Sequence, residues 1–147
     1  MSKTESADLI LKLYESRREP VMREARDWFT GFFPNSVEDI IETISNPETS
    51  AYYRMVVSYW DMAATFVNHG AIDEQMFMDV SGECVLVFAK IEPYLEGLRA
   101  FTNRPQMCAN LESLIMRQPD AKEMLASNRE MIKAWLDRRA EIAKGAA

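Results

Sequence analysis

Apolar side chains recur every three or four residues along almost the whole chain, the spacing of one helix face, and no useful length alternates with the period of a strand. From about Ser6, Leu9, Ile10, Leu13 and Tyr14 share a face. This helix is expected to end near Arg18, because Glu19 precedes Pro20 and is biased away from helical geometry. A second segment, residues 20–32, carries Val21, Ala25, Trp28, Phe29 and Phe32, and Gly31 and Pro34 close it. Ser36 then caps a short helix, Val37–Ser45, whose Val37, Ile40, Ile41 and Ile44 form an apolar stripe. Glu38 and Asp39 lie in its first turn, where acids complement the helix dipole.

The most apolar helix is predicted over residues 47–69, with Asn46 as N-cap, Pro47 in the first-turn slot and Gly70 as the left-handed stop. Tyr52, Met55, Val56, Tyr59, Ala63, Phe66 and Val67 make one face, and Tyr53, Val57, Trp60 and Ala64 a second. Only Arg54, Ser58, Asp61, Thr65 and Asn68 are left for water. Such a helix needs cover on two or more sides, so it is expected to be the central element of a bundle. After Gly70, Ile72 tucks back and Asp73 caps a helix over 74–101, with Phe77, Val80, Cys84, Val87, Phe88, Ile91, Leu95 and Leu98 inward. Asp79, Glu83 and Lys90 are expected on its exposed side. Pro93 kinks or divides it, and the short connection predicts an antiparallel pair with the central helix. A further helix over 104–117, capped by Thr102 or Asn103, buries Met107, Cys108, Leu111, Leu114 and Ile115. A last one opens at Pro119 or Asp120, with Met124, Leu125, Met131, Ile132, Trp135, Leu136 and Ile142 apolar. The fold class is therefore all-α: one domain, residues 1–147, of about six to seven helices around 47–69 paired with 74–101.

Composition changes this picture little. The chain is 48% hydrophobic and 27% charged, a globular balance. Its net charge of -6 is uneven: residues 34–97 hold two basic and eleven acidic groups, and residues 98–147 hold nine and six. Without a concentrated cationic surface, nucleic acid is not an expected partner. No signal peptide or integral membrane segment is visible, which implies a cytoplasmic protein. Cys84 and Cys108 fit buried, reduced thiols better than a metal pair or a disulfide framework.

Candidate chemistry is sparse. A single histidine, His69, with Phe66 three residues before it, leaves no Glu-x-x-His pair for a di-metal bundle. His69 fits a helix C-cap better than a catalytic base, for want of a nucleophile or orienting acid nearby. Asp79 and Glu83, one turn apart, are more economically a solvated face than a divalent-ion site, and Asp73 and Glu74 a cap and first-turn acid. The five glycines are too scattered to cradle a phosphate. No catalytic residue, metal or cofactor is expected. Two features stand above background: the aromatic cluster Trp28, Phe29, Phe32 and Phe33, an end plug or an exposed anchor for another subunit, and ten methionines, core gap-fillers or an adaptable binding surface; core packing is the more economical reading of both. The basic amphipathic tail REMIKAWLDRRAEIAK fits a docked outer helix better than a membrane-surface element.

Over residues 59–100 the chain resembles a family of uncharacterised bacterial all-helical proteins, a domain of unknown function. The resemblance rests on Trp60, Asp61, Ala64, Gly70, Ile72, Asp73, Glu74, Phe77, Gly82, Pro93, Leu95, Leu98 and Arg99. It implies helix-turn-helix packing and no particular chemistry; some relatives carry a membrane helix at the front, which is not seen here. Arg99 is expected to tie to Asp61 or Glu96. The leading expectation is a non-enzymatic interaction module that associates with itself or another protein. The alternative is a binder of a small apolar ligand between Met- and aromatic-lined helices. An enzyme working through Asp61, Asp73, Glu83 or His69 ranks last.

Overall fold

A computed structural model describes residues 2–146, whose regular structure is entirely helical. In chain order the helices are α1 (Lys3–Ser16), α2 (Pro20–Gly31), α3 (Val37–Ser45), α4 (Ser50–Asn68), α5 (Glu74–Val80), α6 (Gly82–Ile91), α7 (Leu95–Thr102), α8 (Ala109–Met116) and α9 (Ala121–Ala146). A 3-10 turn, Glu92–Tyr94, joins α6 to α7. No helix among the described residues is long and apolar enough to cross a membrane.

Local chemistry sets most of the boundaries. Ser2 and Glu5 form a capping box on α1, and the side chains of Glu19, Ser36 and Asp73 each accept a backbone N–H three residues on, opening α2, α3 and α5. Glu19 is extended ahead of Pro20, as the proline demands. Gly70 takes φ +78 and closes α4, while Ile72 folds back and is fully buried.

Helix α4 is the hub, packed against α2 on one flank, α8 on the other and α3 at its start; α9 lies along α6. Trp60 at its centre is 2% exposed, and Tyr53, Val56, Val57, Ala63, Ala64 and Val67 are buried with it. Its water-facing stripe is rotated from the expected one. Met62 and Phe66, the latter 40% exposed, face solvent, whereas Asp61 and Asn68 turn into the α8 contact and bond to Leu111 N and Asn110 O. The reason is that α8 has no cap of its own: Cys108 precedes it in a left-handed conformation with no side-chain bond, so α4 supplies the acceptor. Pro47 is not in the first helical turn. The Asn46 side chain accepts Glu48 N instead, holding 46–49 in a turn, and the helix opens at Ser50.

The helix expected over 74–101 is three segments. Pro93 divides it as anticipated, and a second break falls at Ser81, whose φ of -119 and ψ of 46 are not helical. The main neighbours of α4 are accordingly α2 and α8, not one antiparallel partner. The helix expected over 104–117 is only α8. Arg99 explains this: its guanidinium takes Met107 O and Glu112, at 2.8 and 2.9 Å, and not Asp61 or Glu96, so residues 103–108 are gathered into a turn. The last helix docks only in part. Arg129 holds it to Ala89 O and Glu92, but no residue of α9 beyond Ile132 is buried. Most of the tail expected to be a docked outer helix is therefore a projecting arm.

Candidate functional site

Three helical stripes meet on one side of the bundle. From α2 come Arg26, Phe29 and Thr30; from α6, Glu83, Leu86, Val87 and Lys90; from α9, Met131, Ile132 and Trp135, with Val56 of α4 behind them. Each set follows helical spacing, so each is one face of its helix. Between them lies a cleft of about 310 Å³, walled by aliphatic and aromatic groups, with Arg26, Glu83 and Lys90 as its charged side chains.

Glu83 organises the charge. Both of its oxygens accept from Arg26 Nε, at 3.1 and 3.2 Å, and Oε1 also accepts from Nη2 at 2.8 Å. Oε2 accepts the indole N–H of Trp60 at 3.1 Å, and Arg17 Nη1 stands 4.0 Å from it. The Arg17 guanidinium is itself stacked over the rings of Tyr14 and Trp60. One carboxylate is thus shared by two guanidiniums and an indole. The Arg26–Glu83 pair, with Thr30, also borders a polar surface groove lined by Pro20, Arg23, Glu24 and Asp27. This pair separates an apolar cleft from a polar one.

Lys90 lies deeper. It is 5% exposed, and its ammonium donates to Phe29 O at 2.6 Å and Thr30 O at 3.3 Å while resting 5.0 Å from the Phe29 ring centroid. Those carbonyls belong to the last turn of α2, where a cation meets the negative end of the dipole. Burial pushes its pKa down to about 8, opposed by the charge of Glu83. The expectation that Glu83 and Lys90 face solvent is therefore corrected: α2 and α9 cover that side of α6, and only Asp79 of the three is exposed.

The residues singled out from the sequence do not converge. Asp61 accepts Leu111 N at 2.9 Å and serves α8. Asp73 caps α5, takes Lys3 Nζ at 2.5 Å and donates its own N–H to the buried Ser6 hydroxyl; the Lys3 contact chiefly holds its carboxyl below the usual range. His69 is exposed at the end of α4. Arg99 ties α7 to α8, as described. Asp79 accepts from Gln75 while Glu83 is held by Arg26, so the two share no partner. Phe29 is buried, and Trp28, Phe32 and Phe33 are half-buried. Trp28 stacks on Phe32 at 5.0 Å, and Tyr52 and Tyr53 of α4 complete the group. Lys90, placed on the exposed side, and Arg26 were not among the candidate site residues, although a single lysine inside VLVFAKI was the available signal.

A family model described as a domain of unknown function (DUF4760) matches residues 4–118, and the chain belongs to that family. No curated protein and no solved structure shows significant similarity to it.

Proposed function

We propose that this DUF4760 protein is a non-catalytic binding module whose α2–α6–α9 cleft receives a small, largely apolar ligand. The observation that carries the reading is the cleft itself. Its volume of about 310 Å³ falls at the lower end of ligand sites, and it sets a few polar groups, Arg26, Thr30, Glu83 and Lys90, in an otherwise apolar lining. Met131 and Trp135 of α9 line its outer side, and the flexible methionine suits a wall that adapts to its contents. Heteronuclear NMR with eight-carbon amphiphiles, octanol and octanoate, as probes tests this. Saturable shifts from either probe confined to α2, α6 and residues 131–135, abolished by Leu86→Phe, support it; scattered shifts, or none from either probe, refute it.

A second reading, self-association, is favoured by the arm. Met131, Trp135 and Ile142 fall on one stripe of α9 and are all exposed. Around them Lys133, Arg138, Arg139 and Lys144 outnumber Asp137 and Glu141, and the acidic stretch 34–97 of a second copy is the complementary surface. The half-buried Phe33 stands beneath Lys133 at the root of the arm, which joins the aromatic cluster to the same proposed interface. Light scattering decides it: a monomer at high micromolar concentration refutes this reading, and a dimer lost in Trp135→Ala/Ile142→Ala supports it.

A further inference from the structure

We infer that the ligand of the cleft carries one anionic group, a carboxylate in its simplest form, seated against Lys90 with Arg26 at its side. The inference rests on the reading of the cleft as a ligand site and adds the chemistry of the head group. It follows from a count of charge. Two cations and one acid line the cleft, and that acid is already claimed from outside the cleft by Arg17 and the Trp60 indole. Glu83 therefore neutralises less than one of the cations within reach.

The ammonium geometry agrees. A lysine has three N–H donors and no acceptor. Two of the donors on Lys90 go to Phe29 O and Thr30 O, which leaves one for an incoming oxygen. The two carbonyls fix the ammonium in place, so an anion meets a positioned donor rather than a flexible one. Apolar walls strengthen the attraction, because a charge pair in a low-dielectric cleft is weakly screened. The same surroundings make an ammonium head repulsive and leave a neutral hydroxyl little preferred. Selection by charge, with the tail along Leu86, Val87 and Trp135, is what this arrangement performs.

The test compares four probes below their aggregation limits: octanoate, octanol, octylamine and acetate, titrated by NMR against the wild-type chain and Lys90→Met. Octanoate is expected to bind wild type about tenfold or more tighter than octanol, the scale of one charge-assisted hydrogen bond. Octylamine and acetate are expected to bind weakest, the one for its charge and the other for its missing tail. Lys90→Met is expected to erase the preference for octanoate while keeping octanol. If no probe perturbs the cleft, the binding reading itself fails. If octanoate and octanol bind wild type alike, or if the preference survives in Lys90→Met, the cleft stands and the anionic head is overturned. Should Lys90→Met not fold, Lys90→Gln carries the same comparison.

Discussion

Gly97 offers a sharp check on the packing, because two effects of opposite sign meet there. It lies inside α7, where alanine is ordinarily better than glycine by about 0.8–1.0 kcal/mol. A methyl at this position, however, would stand 2.6 Å from Val37 Cγ2, 3.2 Å from Cγ1 and 3.4 Å from Cβ. Carbon atoms in contact prefer about 3.5–4.0 Å, and a valine in a helix has essentially one rotamer, so it cannot swing aside. Overpacking of this kind costs about 1–3 kcal/mol. The clash wins, and Gly97→Ala is expected to destabilise the protein by up to about 2 kcal/mol, lowering Tm by up to roughly 8 °C at this chain length. In Val37→Ala the two methyls are gone, and the same substitution should become neutral or stabilising by up to about 1 kcal/mol. Thermal denaturation of the four proteins of this cycle gives the coupling directly. A higher Tm for Gly97→Ala in the wild-type background, or an equal shift in both backgrounds, would refute the α3–α7 contact as described.

Other expectations are briefer. Asp61→Ala leaves Leu111 N without its acceptor and α8 without a cap, at about 1–2 kcal/mol in urea denaturation; Asp61→Asn keeps an acceptor and should lose markedly less, and equal losses would deny the capping role. Because burial lowers the Lys90 pKa from 10.5 to about 8, the folded chain releases that proton before the unfolded one. The stability of wild type relative to Lys90→Met should therefore rise between pH 8 and 10.5, by about 1–3 kcal/mol, and a flat difference across that window would contradict it. Cys84 and Cys108 carry the opposite sign. Burial pushes both up to about 12 from 9, so their contribution is intact below about pH 9 and is lost as pH climbs toward 12. In the native protein at pH 8 neither thiol should react quickly with a thiol reagent, and a fast native phase would show one of them to be accessible.

Where local chemistry sets an element, the chain announces it. Ser36, Glu19 ahead of Pro20, Gly70 and Asp73 mark boundaries that the structure keeps, because a cap or a proline acts within a few residues. The misplacements are tertiary. The rotated water stripe of α4 reflects an acceptor lent to α8 from fifty residues away in the chain, and the short α8 reflects a turn gathered by Arg99. Neither leaves a periodic trace. The cleft could not be located from the sequence: its charges, Glu83 and Lys90, fall on a polar stripe, and helical periodicity cannot reveal what covers such a stripe. Lys90 shows the limit clearly. Its helix face is visible in the sequence, whereas the carbonyls that hold it belong to another helix.

The cleft is assembled from two sources. Arg26, Glu83 and Lys90 lie within the stretch that defines the family, while Met131, Ile132 and Trp135 come from α9, which starts after that stretch ends. The charged base of the cleft thus sits inside the stretch matched by the family model, and its outer panel sits outside it. Because α9 is buried no further than Ile132, that panel is hinged to the bundle at its root, and the width of the cleft depends on how α9 seats there.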